Sequence, residues 1–175
     1  RDAAALATLL VAQAPFDVLI SAATGGERAA GTFLQMDLAG YRASFDKLWG
    51  YTNVVRLGAG HLSDDGCIVL VSGAPARRAK PGQAAIASVG GAVEQFVRAV
   101  TAELAPKRIN VVSPGVIDTP MFGNDADARA KMLGGATAKN LIPRAGTSEE
   151  VAEGIRLVVK NDFVTGTTVD VDGGW

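Results

Sequence analysis

The stretch from residue 66 to residue 120 limits the possible folds more than any other part of the chain. It opens with an unbroken apolar run, C-I-V-L-V at residues 67–71, and passes through a polar, basic loop at 72–83. A long amphipathic segment at 84–105 follows, then a second apolar run at 109–112 that leads into S-P-G-V-I-D-T-P. A strand with one wet face alternates apolar and polar residues; a run without alternation belongs to a strand covered on both faces, as in a parallel sheet. Between the two runs, Ile86, Val89, Val93, Phe96, Val97, Val100 and Leu104 recur at steps of three and four, while Glu94, Gln95, Arg98 and Glu103 fall between them. That spacing predicts a helix with one buried stripe. The whole is one βαβ unit.

The flanking segments extend the pattern. Asp2 is placed to cap a first helix reaching Gln13, which Pro15 ends. F-D-V-L-I-S-A-A at residues 16–23 is a third continuous apolar run and reads as a strand buried on both faces. In the loop after it, Gly25 and Gly26 read either as loop punctuation or as a phosphate cradle, and the lack of a directly following helix favours punctuation. A second helix is expected from residue 40 or 41 to residue 62, with Phe45, Leu48, Trp49, Val55 and Leu62 on its apolar side, and S-D-D-G at 63–66 reads as a turn. Residues 121–143 read as one or two short helices, with Asp125 and Asp127 as helix-start acids rather than calcium ligands. T-x-x-E at Thr147 to Glu150 is a capping box, and T-V-D-V-D-G-G gives a fourth strand and a glycine turn. The expected fold is α/β: one doubly wound, Rossmann-like parallel sheet with four strands visible. In such a sheet function gathers at the strands' carboxyl ends, here residues 21–26, 72–78 and 113–120.

Composition narrows the function classes. A chain of 175 residues is long enough to bury its own core. One cysteine, Cys67, and one histidine, His61, cannot assemble a zinc cluster or an internal disulfide, so no metal is expected and a reducing, cytoplasmic setting is. His61 reads as a surface residue. Seventeen basic against eighteen acidic residues give no field for a polyanion, so nucleic acid is not an expected partner, and no apolar run reaches the roughly 20 residues of a membrane helix.

At this point the residues resemble a known family. I-N-V-V-S-P-G-V-I-D-T-P-M is similar to the segment after the sixth strand of short-chain dehydrogenases/reductases, T-G-T-T-V-D-V-D-G-G to their C-terminal signature, and P-F-D-V-L-I-S-A-A to their fourth strand. The similarity runs in order over nearly the whole chain. It implies a nicotinamide cofactor, NADP or NAD, a small alcohol or ketone as substrate, and a homo-oligomer, dimer or tetramer. In that family the S-P-G-V-I-D-T stretch lies along the nicotinamide, so Pro114, Gly115, Ile117 and Thr119 are the implied cofactor contacts, with Ser21, Ala22 and Ala23 at the tip of the fourth-strand segment.

Two departures accompany the resemblance. The family's catalytic pattern of Asn, Ser and Tyr-x-x-x-Lys falls here near Lys47, on Gly73 beside Ser72, on Ile86 and on Gly90. Ile86 can neither give a proton nor hold a charge where an alkoxide develops. Atypical members are similar in carrying K-[FL]-W-G and S-G-x-x-x-R, which here read Lys47-Leu48-Trp49-Gly50 and Ser72 to Arg77. On that likeness Lys47, Ser72 and Arg77 form the catalytic set, Lys47 giving a proton and Arg77 clamping charge; the alternative is a lysine lying along its helix and an arginine exposed on a loop. The second departure is at the front: the family's T-G-x-x-x-G-x-G loop has no counterpart in these residues, so weak dinucleotide binding by this stretch is expected. Residues 1–175 are accordingly read as the C-terminal portion of a single Rossmann-like domain, or as a chain whose apolar 16–23 edge another chain covers.

Three functions compete on this reading. The first is an atypical oxidoreductase moving hydride between NAD(P)(H) and an alcohol or carbonyl compound. The second is a catalytically inactive subunit paired with an active paralogue, with Gly90 and Gly91 letting long helices approach across an interface. The third is a dinucleotide-sensing regulator.

Overall fold

A computed structural model of the chain describes residues 2–23 and 29–175. Four parallel strands, β1 (Phe16–Ser21), β2 (Leu62–Val71), β3 (Arg108–Pro114) and β4 (Thr168–Val171), lie in the order β1-β2-β3-β4. Among the described residues six helices connect and cover them: α1 (Ala3–Gln13), α2 (Leu38–Ser44), α3 (Asp46–Gly58), α4 (Ala84–Leu104), α5 (Ala126–Thr137) and α6 (Ser148–Lys160). The expected caps are in place. Asp2 accepts from the Ala5 amide, Asp125 from Ala128, and Thr147 and Glu150 form the reciprocal capping box of α6. Arg144 hydrogen-bonds Glu150 and, with the Thr147 amide, holds its carboxyl down at about 2.

The unbroken apolar runs of β2 and β3 have the predicted cause. Ile68, Leu70, Ile109 and Val111 face Tyr51 and Val55 of α3 and Val93 and Val97 of α4, whereas Cys67, Val69 and Val112 face Val158 of α6. Each central strand thus feeds two cores, one on each side of the sheet. Burial pushes the Cys67 thiol up, so it packs as a small apolar side chain. No helix among the described residues is long and apolar enough to cross a membrane.

Three local expectations are corrected. The single helix expected from residue 40 or 41 to 62 is two helices and a 3-10 turn (Ala59–His61), broken at Phe45. Ser44 donates to the Gly40 carbonyl at 2.9 Å while accepting from the Ala29 amide at 3.1 Å, and such back-bonding bends helices. The break re-aims α3, so Tyr51 enters the core and Trp49 is 67% exposed. S-D-D-G is not a turn but a bulge within β2: pairing passes from Phe16 opposite Leu62 directly to Val18 opposite Cys67. Finally, β1 is not buried on both faces. Among the described residues it pairs with β2 alone, and Val18 and Ile20 are 39% and 48% exposed.

At the amino end of β3, Arg108 is 8% exposed and donates to the carbonyls of Val158 at 2.7 Å, Val159 at 2.8 Å and Val164 at 3.1 Å. It caps the end of α6 and ties the approach to β4 to the sheet. Arg108→Met keeps the bulk and strips these donors from buried carbonyls; we expect a stability loss of about 3 kcal/mol in urea unfolding.

Candidate active site

Parallel pairing brings the tips of β1, β2 and β3 to one rim. Ser21 stands opposite Leu70, Val71 stands opposite Val112, and the Ser72 amide donates to the Val112 carbonyl at 2.9 Å. Above that rim opens a cavity of about 600 Å³. The three carboxyl-end segments expected to gather do so: Ala22, Ser72, Gly73 and residues 114–117 all line it, as does Thr119.

The segment after β3 is held rigidly. The Gly115 amide donates to the Val171 carbonyl at 3.0 Å, and a Cβ on Gly115 would lie 2.8 Å from the Asp172 backbone, so only glycine permits this approach to the β4 turn. Two backbone bonds with Gly146, from Asp118 at 2.8 Å and to Val116 at 2.9 Å, fix the next residues. Within this frame the hydroxyls of Thr119 and, deeper, of Ser113 are buried with no hydrogen-bond partner among the described residues. A buried unpartnered hydroxyl is costly, and one in a cavity wall is a place for a ligand's polar group. Of the other cofactor-side residues, Pro114, Gly115, Ile117 and Ala22 line the cavity, Ser21 is buried just below it, and Ala23 is exposed outside it. Gly25 and Gly26 lie outside the described residues.

The three residues of the expected catalytic set fare differently. Lys47, near the start of α3, lines the cavity; its ammonium donates to the Ser72 carbonyl at 3.1 Å and stands 5.6 Å from the centre of the Tyr51 ring. The Tyr51 hydroxyl in turn donates to the Val71 carbonyl at 3.0 Å, so α3 is tied to the end of β2 beside the cavity. Ser72 lines the wall, with its hydroxyl donating to Glu94 at 2.9 Å. Arg77 is not among the lining residues: its guanidinium donates to Glu94 at 2.6 Å and pairs with Asp170 of β4. Lys47 and Arg77 therefore do not converge on one point of the cavity. Ile86 and Gly90, at the positions of the altered family motif, both face it.

Glu94 is the residue that sequence reading misplaced. Expected on the wet side of α4, it is 3% exposed and joins Ser72, Arg77 and, at 3.8 Å, Arg98. The signal was present: Gly90, Glu94 and Val97 follow the same four-then-three spacing as the apolar stripe. Gly90 has a role within the chain, since a Cβ there would lie 2.9 Å from that of Ala76 in the loop after β2. Trp175 was also overlooked. It lines the cavity, its indole N–H donates to the Arg78 carbonyl at 3.0 Å, and the Lys80 ammonium sits 3.4 Å from its ring centre.

Residues 2–175 match a family model described as Enoyl-(Acyl carrier protein) reductase. The chain is 40% identical over 116 residues to a cyclopentanol dehydrogenase of a Comamonas species, a match that covers 63% of this chain and 45% of that protein. It is 31% identical over 193 residues to the short-chain reductase protein NovJ of Streptomyces niveus, covering 98% of this chain and 68% of that one. Against several curated relatives the chain spans only 42% to 45% of their length. Among solved structures, a small-chain dehydrogenase in complex with NADPH superposes with a TM-score of 0.91 at 30% identity, over 99% of this chain and 80% of that one.

The Glu94 cluster gives a direct test. Glu94→Ala leaves Ser72 and Arg77 without their buried acceptor; because Arg77 is 34% exposed, the expected loss in chemical denaturation stays at the lower end for a broken buried pair, about 3 kcal/mol.

Proposed function

The chain belongs to the short-chain dehydrogenase/reductase family, and from that premise we propose that it is an atypical NADP- or NAD-dependent oxidoreductase that interconverts an alcohol and a carbonyl compound. The observation that carries the reading is the cavity at the carboxyl rim with the unpartnered Thr119 hydroxyl buried in its wall. Its residues fit the nicotinamide end of the cofactor, and the NADPH complex of a neighbouring structure supports that fit. Pro114, Gly115, Ile117 and Thr119 would hold that end, with Ala22 flanking it beside Ser21 and Ala23. When bound, the nicotinamide supplies or accepts the hydride.

The protein's own residues would handle the proton and the solvent. Lys47 is the proton donor to the developing alkoxide in reduction, and accepts the proton back in oxidation. Ser72 gives its hydrogen to Glu94, so its oxygen lone pairs are left to accept from the substrate hydroxyl. Arg77, engaged by Glu94 and Asp170, is a positioning residue acting through Glu94 rather than a clamp on substrate. Ile86 supplies an apolar wall that excludes water and sharpens the electrostatics of Lys47.

A second reading, an inactive subunit pairing with an active paralogue, draws support from one observation, that the side chain at the altered motif position in the wall is Ile86. The glycine argument for it weakens, because Gly90 is used against Ala76 of the same chain.

Titration of the full-length protein with NADH and NADPH, followed by nicotinamide fluorescence, separates the readings. Saturable binding together with turnover that falls about 10² to 10⁴-fold in Lys47→Ala is the expected outcome. Binding with no turnover on a broad alcohol panel would favour the inactive subunit, and no saturable binding of either nucleotide would remove the oxidoreductase reading.

A further inference from the structure

Resting on the oxidoreductase reading of the same cavity, we propose that its substrate is a neutral, largely apolar ring compound, an alicyclic or aromatic alcohol or ketone, and neither a sugar nor an oxo acid. The wall formed by Met121, Phe122, Met132, Leu133 and Trp175 is wholly apolar in character. Of the neutral polar side chains among the described lining residues, three are already engaged within the chain, and Thr119 is given to the cofactor end. The Ser44 hydroxyl bonds the Gly40 carbonyl and the Ala29 amide, Ser72 donates to Glu94, and the Gln83 side-chain oxygen accepts from the Lys80 amide at 2.8 Å. A polyol seated there would bury hydroxyls against methyl and aryl groups, and each one left unpaired weakens binding by about tenfold.

Charge argues the same way. Lys47 is the one charged side chain among the described residues that line the cavity. A substrate carboxylate would have to compete for the ammonium that serves the reacting oxygen, or be desolvated against the apolar wall. A neutral carbonyl needs only the one polar end.

Trp175 sets the shape. Its indole N–H is anchored to Arg78, the Arg78 guanidinium donates back to the Trp175 main-chain oxygen at 2.9 Å, and Lys80 covers one ring face. A ring fixed in this way presents a flat apolar surface, suited to another ring. Opposite flexibility comes from the methionines: Met121 and Met132 are 63% and 46% exposed and unbranched, so they can fold onto a ligand and lose water in doing so.

The test uses 1-tetralone as an apolar ring ketone, D-glucose as an aldose and 2-oxobutanoate as an oxo acid, each measured for binding by calorimetry and for turnover with NADPH. The expected result is kcat/KM for 1-tetralone at least about 100-fold above the other two, with its Kd weakened about tenfold by Trp175→Ala and by Met132→Ser, each roughly 1.4 kcal/mol. Met132 is half-exposed on α5, so Met132→Ser keeps the fold even where Trp175→Ala does not. Tight 1-tetralone binding that both variants weaken, without turnover of any compound, upholds the ligand class and sinks the oxidoreductase reading. Preference for glucose or 2-oxobutanoate, no binding of 1-tetralone, or binding indifferent to both substitutions overturns the proposal.

Discussion

Parallel pairing between strands covered on both faces is the constraint from which the rest of this structure follows. A parallel neighbour can be reached only by a crossover, and right-handed crossovers return every strand in the same direction. All carboxyl ends therefore meet on one rim, and the chain must place whatever binds a ligand there. The alternation of Ile68 and Leu70 toward α3 and α4 with Cys67 and Val69 toward α6 shows how the sheet is locked: slipping β2 by one residue would exchange its two cores.

Two buried charged residues anchor the two ends of this layer. Arg108 at the amino end of β3 satisfies carbonyls at the close of α6. Glu94 at the carboxyl side gathers Ser72 and Arg77, and through Arg77 reaches Asp170 of β4. The second cluster couples the fold to the site, because the loop after β2 that carries Ser72 and Gly73 is shaped by the same carboxylate. Gly90 lets that loop approach α4.

Most of the layer was legible in the sequence because the signals were strong and local: three continuous apolar runs, one long stripe, and a capping box. What escaped depended on tertiary context. The break at Phe45 needed the Ser44 bonds to Gly40 and Ala29. The bulge at S-D-D-G needed the register of β1, and the exposure of Val18 and Ile20 needed the strand order. In the site, backbone-defined features such as Gly115 were readable from a motif, whereas the partners of Glu94 and Arg77 were not, since charged residues are expected outside by default. Trp175 carried no pattern of its own; its place comes from contacts with Arg78 and Lys80, nearly a hundred residues earlier.

Whether the carboxyl rim is where this protein handles a nicotinamide nucleotide can be read from backbone amide chemical shifts recorded while NADPH is added. The largest changes are expected at Ala22, Ser72, Gly73 and residues 115–119. Changes confined to the opposite rim, around Gly66, Arg108 and Thr167, would contradict that placement.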